Sequence, residues 1–338
     1  MTDQPDLPNL IADVSWLPHR YDSAGSRIQF VRMEATKRGA LTFLADYQPA
    51  EGDSCWFAAE QVLTTPIAPQ PWNFIFHAAF ARSTLLVKAF ELPRLSVGLS
   101  EPAILNDLAA GLGSPLARAL LLPIVDLLAR PHGSGVQVVI KPSNAANVII
   151  GTLLSARPQS RAVLLSVGLK GFLGSVAKKG LMGRRWARRL HLHVSKYAPL
   201  DLGLTPAEAH ELTDLQIAGL AWLLHQRHFA ALLEQFPARQ LATLTSESIG
   251  AEPAAAIHAV ARHFGIAFDL KQAEAVASGP LFDRHAKLGT DYRSTVARED
   301  AAALSPVIMD EIEKTSTWIE HIAAHARLNL PVSRPLQE

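Results

Sequence analysis

The chain has 338 residues, of which 49% are hydrophobic and 19% are charged, which excludes a wholly disordered protein. A single cysteine, Cys55, excludes an internal disulfide and leaves too few thiols for a Cys/His zinc site. The N-terminus lacks a signal-peptide pattern, and no apolar run is long enough for a membrane span. These features predict a soluble cytoplasmic protein.

The net charge of +1 hides an uneven distribution of charge. No acidic residue occurs between Asp126 and Asp201, whereas twelve lysines and arginines do. Such a segment either faces an anion or is neutralised by acidic residues elsewhere. The usual folds of nucleic-acid readers are missing, so no nucleic-acid partner is expected. A phosphorylated small molecule accounts for the same charge with a smaller surface.

The first 70 residues are predicted to form a small α+β extension that ends at a proline-rich connector. Residues 71–338 are predicted to form the main α/β domain with a helical C-terminal part. The elements expected in the extension are strands at Trp16–Tyr21 and Arg27–Arg32 and a helix at Ala35–Tyr47.

Three short apolar segments in the main domain, 72–77, 136–140 and 162–167, are separated by helical segments. This pattern favours adjacent parallel strands in a sheet covered on both faces, a three-layer α/β/α fold. Further strands are expected at 94–99 and 240–244. Helices are expected at 83–92, 102–112, 115–128, 253–264 and 300–327. A further helix should run to residue 156 from a cap at Ser143 or Asn144, and another should begin at 172. A long helix should begin at a capping box at Thr205 and end at 235.

The first predicted strand of this sheet ends at His77 and leads through a short loop into a helix. Ligands of open α/β sheets bind at the carboxyl ends of the strands, and a helix start attracts phosphate. Arg82, Ser83 and Thr84 would add a cation and two hydroxyls there. The loop has no Walker pattern and no glycine, and the other two strands end at Lys141 and Gly168 without a carboxylate. Metal-assisted NTPase chemistry is therefore disfavoured.

Several segments resemble the sulfotransferase family, over about residues 72–295. Phe80-Ala81-Arg82-Ser83-Thr84-Leu85-Leu86 is similar to its 5′-phosphosulfate loop, and Ser100-Glu101-Pro102 is similar to the acidic segment of tyrosylprotein-type and bacterial members. Lys141-Pro142-Ser143-Asn144 resembles its Lys-Thr-Pro stretch, and the segment from Glu247 to Pro253 resembles a late acidic motif.

The resemblance implies transfer of a sulfuryl group from 3′-phosphoadenosine 5′-phosphosulfate to a hydroxyl or amine, with no metal. Glu101 would be the base, with His77 as the alternative, and Lys141 would neutralise charge on the bridging oxygen. A late polar loop carrying His285, Lys287 and Arg293 would close over the nucleotide. The residues implied to bind the donor are Arg82, Ser83, Thr84, Leu85, Lys88, Ser175, Lys178 and Lys179.

Two departures from the family pattern keep other functions open. Val167-Gly168-Leu169 stands where the family has Arg-Asp-Pro, so the arginine for the donor's 3′-phosphate is missing, and the first loop lacks its glycine. The alternatives are a nucleotide-dependent kinase or NTPase on the same fold and a non-catalytic binding protein that has lost the donor site. The acceptor and the oligomeric state cannot be read from the sequence.

Overall fold

A computed structural model describes residues 6–283 and 304–336 of the chain. His285, Lys287 and Arg293 therefore lie outside the described residues. The strands are β1 Trp16–Asp22, β2 Arg27–Arg32, β3 Ser54–Ala58, β4 Asn73–His77, β5 Ser96–Ser100, β6 Gln137–Lys141, β7 Arg161–Ser166 and β8 Leu241–Thr245.

Sixteen helices can be numbered in the described ranges, with two 3-10 turns at Leu44–Asp46 and Asn144–Ile149. None of these helices is long and apolar enough to cross a membrane. The helices are α1 Leu7–Ala12, α2 Ala35–Ala40, α3 Ala59–Thr64, α4 Ser83–Lys88, α5 Ala103–Ala110, α6 Pro115–Leu128, α7 Ile150–Ala156, α8 Leu169–Lys178, α9 Gly180–Val194, α10 Pro206–Glu211, α11 Asp214–Gln235, α12 Ser246–Ala251, α13 Pro253–Phe264, α14 Leu270–Ala277, α15 Pro280–Asp283 and α16 Pro306–His325.

The main sheet has five parallel strands in the order β5-β6-β4-β7-β8. β4 lies between β6 and β7, which confirms the prediction that these three segments are parallel neighbours. Their carboxyl ends therefore meet at one edge of the sheet. The α/β class and the flanking helices are also as predicted.

Alternate residues of the strands belong to two different hydrophobic clusters, one on each face of the sheet. Phe74 and Phe76 of β4 lie in the first cluster, whereas Ile75 between them lies in the second. The first cluster also takes apolar residues of α5, α6 and α7, and the second takes those of α4, α8, α11 and α13. Helices thus cover both faces, which explains why β4 is buried along its whole length.

The N-terminal residues form an antiparallel sheet of order β1-β2-β3, whose apolar residues join the first cluster. Buried Asp126 of α6 fixes the end of the connector that follows this sheet. It accepts hydrogen bonds from the backbone N–H of Gln70 and from the Trp72 indole, and it pairs with Arg157 at 2.9 Å. The helix predicted at Ala35–Tyr47 is wrong beyond Ala40, and β3 and α3 were not predicted. The domain boundary at residue 70 stays a prediction.

The long helix predicted from Thr205 to Gln235 is divided into α10 and α11. Thr205 and Glu208 form the predicted capping box, with Thr205 Oγ1 accepting from the Glu208 N–H at 3.3 Å. Thr213 and Gln216 form a second one, because the Gln216 N–H donates to Thr213 and the Thr213 N–H donates to Gln216. Two start signals compete along one hydrophobic pattern, and each begins its own helix.

His225 of α11 is fully buried. Burial, together with the smaller effect of nearby His228 and His193, lowers its pKa to about 3. An unfolded histidine titrates near its ordinary value of about 6.5, so acid protonates the unfolded chain before the folded one. Stability contributed by neutral His225 is therefore present above pH 6.5 and is lost as the pH falls towards 3.

Between pH 7 and pH 5, we expect the free energy of unfolding to fall further in the wild type than in His225→Leu. The expected difference is about 2 kcal/mol, because the contribution of His225 is lost at about 1.36 kcal/mol per pH unit below 6.5. Urea unfolding at both pH values measures this difference. His210→Leu, a change at an exposed histidine of α10, should keep the wild-type dependence. Equal losses in His225→Leu and the wild type would contradict the assignment.

Candidate functional site

The carboxyl edge of the main sheet brings together most of the predicted site residues. Taken in strand order, the edge carries Glu101 after β5, Lys141 at the end of β6, His77 and its loop after β4, Gly168 after β7, and Ser246 after β8. Because all five strands are parallel, these residues come from distant parts of the chain but lie along one line.

The loop after β4 has left-handed backbone at three residues that are not glycine. The φ angles are +73° at Ala79, +53° at Phe80 and +60° at Arg82. Glu101, two strands away on the same edge, has a φ of +51°. Each such residue costs about 1–2 kcal/mol, because its Cβ crowds the following carbonyl. Strain of this kind concentrates at functional sites when the surrounding structure holds it in place.

This backbone conformation leaves hydrogen-bond donors at the start of α4. The backbone of Arg82 is left-handed, and that of the residues after it is right-handed helical. Successive residues of opposite hand turn their N–H groups towards one concave surface, which suits an anion. The N–H groups of Ser83, Thr84 and Leu85 donate to no acceptor among the described residues. The side chains of all three are buried, so they fix the loop on the sheet.

The Arg82 side chain reaches across β7 to the far end of the edge. Its Nε donates to Ser246 Oγ at 3.2 Å. A Cβ added at Gly250 of α12 would lie 3.4 Å from the guanidinium carbon, so this glycine leaves room for the guanidinium. Arg82 therefore has a defined position beside the loop.

Glu101 and Lys141 form an ion pair between neighbouring strands. The Lys141 side chain is 1% exposed and that of Glu101 is 20% exposed, so the carboxylate lies on the solvent side of the pair. The Lys141 ammonium also lies 5.2 Å from the centre of the Phe43 ring. The backbone supports the pair, because the Glu101 N–H donates to the Lys141 carbonyl at 2.7 Å.

His77 is buried at the end of β4. Its Nδ1 accepts a hydrogen bond from the Ala79 N–H at 3.2 Å, and its carbonyl accepts one from Asn147 Nδ2 at 3.0 Å. A neutral imidazole that accepts at Nδ1 carries its proton on Nε2, so neither nitrogen offers an open lone pair. Glu101 is therefore the better placed of the two predicted bases.

The residues predicted to hold the donor's 3′-phosphate lie on or just after α8. Ser175 Oγ donates to the Gly171 carbonyl of its own helix at 2.8 Å. Lys178 is exposed, and the Lys179 ammonium lies 5.8 Å from the centre of the Phe80 ring, which brings it to the loop after β4. Phe80 also packs on Trp186 of α9, with ring centres 5.0 Å apart.

Lys88 points away from this group of residues. It lies in the last turn of α4, and its ammonium donates to the Gly39 carbonyl of the N-terminal extension at 2.8 Å. Burial lowers its pKa, Glu91 opposes that effect, and Arg38 adds to it. Its contacts tie the extension to the main sheet.

Acidic residues of later helices neutralise part of the basic segment. Lys170 pairs with Glu313 at 2.6 Å, and Arg188 pairs with Asp214 at 2.5 Å. Arg184 lies 3.9 Å from both Asp214 and Glu311. Neutralisation by acidic residues elsewhere, one of the two interpretations of the charge run, therefore applies at these three positions.

Glu247 holds the loop after β7. Its Oε1 accepts from the Gly168 N–H at 2.9 Å. Ser246, which contacts Arg82, was missed from the sequence. The available signal was the run of hydroxyl residues after the strand predicted at 240–244, namely Thr245, Ser246 and Ser248. Across residues 6–283 and 304–336, no three His, Cys, Asp or Glu side chains are grouped so as to hold a metal ion.

Comparison with known proteins gives matches among solved structures. No family model and no curated protein matches this sequence. The chain is similar to a sulfotransferase domain from the curacin biosynthetic pathway, at 12% identity and a TM-score of 0.42, over 78% of this chain and 100% of that one. It is also similar to a sulfotransferase from Alicyclobacillus acidocaldarius, at 12% identity and a TM-score of 0.40, over 78% of this chain and 98% of that one. At this level of similarity, neither structure decides what the chain binds.

Proposed function

We propose that the protein is a sulfotransferase-like enzyme that uses 3′-phosphoadenosine 5′-phosphosulfate. The observation that carries the proposal is the strained edge of the main sheet. Four non-glycine residues with left-handed backbone lie there, at Ala79, Phe80, Arg82 and Glu101, beside N–H groups without acceptors in the described chain and beside buried Lys141. Strained backbone of this kind clusters at sites that hold ligands, and the N–H groups and the lysine at this edge suit an anionic group.

The residues at this edge fit the donor's phosphosulfate in charge and in hydrogen-bond type. The N–H groups of Ser83, Thr84 and Leu85 and the guanidinium of Arg82 would hold the 5′-phosphosulfate. Lys179, which lies against the loop through Phe80, supports a place for the 3′-phosphate close to the end of α8. Ser175 and Lys178 would complete that subsite.

The proposed reaction is an in-line transfer. The acceptor oxygen or nitrogen forms a bond to sulfur, and the bond from sulfur to the bridging oxygen of the donor breaks. The acceptor's proton goes to the Glu101 carboxylate, and Lys141 neutralises the charge left on the bridging oxygen. The products are the sulfated acceptor and 3′-phosphoadenosine 5′-phosphate. The acceptor is a hydroxyl or amine compound.

A non-catalytic binding protein is the second candidate. It is favoured by Val167-Gly168-Leu169, which lacks the arginine of the family pattern, and by Ser175, whose hydroxyl donates within its own helix. Such a protein would have lost the donor site, so it would neither bind 3′-phosphoadenosine 5′-phosphate tightly nor transfer sulfate.

We expect 3′-phosphoadenosine 5′-phosphate to raise the melting temperature without added Mg²⁺. A ligand that binds only the folded state stabilises it by about 2.7 kcal/mol at a hundredfold excess over its Kd. Differential scanning fluorimetry, repeated with adenosine 5′-monophosphate as the control lacking the 3′-phosphate, measures this effect. Stabilisation by ATP alone, and only with Mg²⁺, would replace the proposal by the kinase or NTPase alternative.

A further inference from the structure

The outer face of α9 is a surface that the proposed reaction does not use. Its inner side is buried, with Gly183, Ala187, Leu190 and Val194 facing the body of the protein. At 100° per residue, Leu181, Met182, Arg185, Arg189 and Leu192 fall within an arc of about 100° on the opposite side, and exposed Arg188 lies just outside it. We define the outer face as Leu181, Met182, Arg185, Arg189, Leu192 and, just after the helix, Lys196.

Large apolar side chains project from this face into solvent. Leu181 is 69% exposed, Met182 71% and Leu192 66%. Of the seven large hydrophobic residues that are exposed in residues 6–283 and 304–336, these three and Val307 are the most exposed. Leu192 also borders a mainly aliphatic groove of about 500 Å³ between α9 and α11, whose lining includes Leu204 and a single acid, Asp201.

Cations lie between these apolar side chains and just beyond Leu192. Arg185, Arg189 and Lys196 are exposed and pair with no acidic residue in the described chain, unlike Arg184 and Arg188 on the flank of the same helix. No acidic residue occurs anywhere between Asp126 and Asp201, so α9 itself contributes no negative charge. The outer face is therefore both apolar and uniformly positive.

We propose that the outer face of α9 binds the surface of an anionic lipid membrane. Leu181 and Met182 at one end and Leu192 at the other are separated by about 15 Å along the helix, at 1.5 Å per residue. They enter the interface between headgroups, while the cations between them contact lipid phosphates and carboxylates. The protein stays on the membrane surface by this one helix face.

The distribution of side chains favours a lipid surface over other anionic partners. A nucleic-acid surface that stacks bases uses aromatic side chains, and the outer face has none. A protein interface commonly has a central apolar cluster with a polar rim, whereas here the apolar residues are at the two ends and the arginines lie between them. A plane of anionic headgroups satisfies both kinds of residue without a matching shape.

The test is co-sedimentation of the full-length protein with vesicles. We expect binding to mixed phosphatidylcholine and phosphatidylserine vesicles and little binding to phosphatidylcholine alone. Raising the salt to about 1 M, where the Debye length is about 3 Å, should release most of the protein. The doubly substituted Arg185→Glu, Arg189→Glu should bind at least about 25-fold more weakly, since each cation near such a surface contributes about fivefold.

A second variant tests the apolar residues separately. Leu181→Ser with Leu192→Ser should weaken vesicle binding by about 100-fold, because each buried leucine contributes on the order of tenfold. The matched control is Arg239→Glu with Arg262→Glu, two exposed arginines away from α9, which should bind like the wild type. All of these positions are exposed, so the substitutions should leave the fold intact. An unchanged melting temperature checks that each variant is folded.

Three results would overturn the proposal. They are no sedimentation of the wild type with anionic vesicles, equal binding to both kinds of vesicle, or unchanged binding of the α9 charge variant. Tight binding to a DNA duplex or single-stranded RNA in the absence of vesicle binding would assign the face to nucleic acid instead. The outcome does not depend on the sulfotransferase proposal, which is tested by the donor product alone.

Discussion

Glu101→Gln is expected to lower turnover by about 10²–10⁴-fold, the usual contribution of a positioned acid–base group. A glutamine keeps the shape of the side chain but cannot accept the acceptor's proton. Binding of 3′-phosphoadenosine 5′-phosphate should persist, because the negative charge of Glu101 contributes nothing favourable to a polyanion. Transfer of labelled sulfate to a panel of alcohols and amines, together with calorimetric titration of the donor product, measures both quantities.

The ion pair with Lys141 requires a stability measurement beside the kinetic one. Removing one partner of a buried pair costs about 3–5 kcal/mol, and the loss should lie in that range because Glu101→Gln leaves the Lys141 ammonium, which is 1% exposed, facing a neutral amide. Turnover should therefore be compared at a temperature at which urea or thermal unfolding shows the variant to be folded.

Lys141→Met is the matched control for this experiment. It removes the other partner of the pair and leaves the carboxylate, which is partly exposed to water. If Glu101 is the base, the acid limb of the pH dependence of kcat/KM should disappear in Glu101→Gln and remain in Lys141→Met. Full turnover of folded Glu101→Gln would rule out Glu101 as the base, and His77, with the Ala79 bond to its Nδ1 broken, would be the next candidate.

Arg82→Ala is expected to weaken binding of the donor product by roughly 10–150-fold, corresponding to the 1.5–3 kcal/mol of a hydrogen bond to a charged group. The guanidinium lies beside the N–H groups at the start of α4, where it can bind two oxygens of one phosphate. Calorimetric titration of the variant and the wild type measures the change in Kd.

Ser246→Ala separates binding by Arg82 from its structural contact. This change removes the hydroxyl that accepts from Arg82 Nε at 3.2 Å but keeps the guanidinium. We expect a much smaller loss of affinity than in Arg82→Ala. If Arg82→Ala binds like the wild type, the loop after β4 is an ordinary turn and the donor site lies elsewhere.

The parallel sheet could be predicted because its strands carry a local signal. β4, β6 and β7 are short, apolar on both faces and separated by helical segments, and only a sheet covered on both sides buries such strands completely. The residues at the strand ends, His77, Lys141 and Gly168, then follow from the direction of the strands. The capping box at Thr205 was readable for the same reason, since it involves neighbours in sequence.

Other local signals were present but competed with each other. The apolar pattern from Thr205 to Gln235 favours one helix, whereas the Thr213–Gln216 box favours a new start, and the box prevails. The N-terminal β3 and α3 were missed because their burial comes from packing on β2 and α6. A pattern within each segment does not contain that information.

The sequence alone determined the α/β class, the segments that become central strands, and the loop between His77 and Leu86 as a candidate anion site. Only the tertiary structure decided that Glu101 pairs with Lys141, that Arg82 contacts Ser246, and that Lys88 turns towards Gly39. Each of these contacts depends on strand order or on packing between segments 40 to 164 residues apart. The left-handed backbone at Ala79, Phe80 and Arg82 has the same origin, because without glycine no local preference favours it and the surrounding contacts must hold it in place.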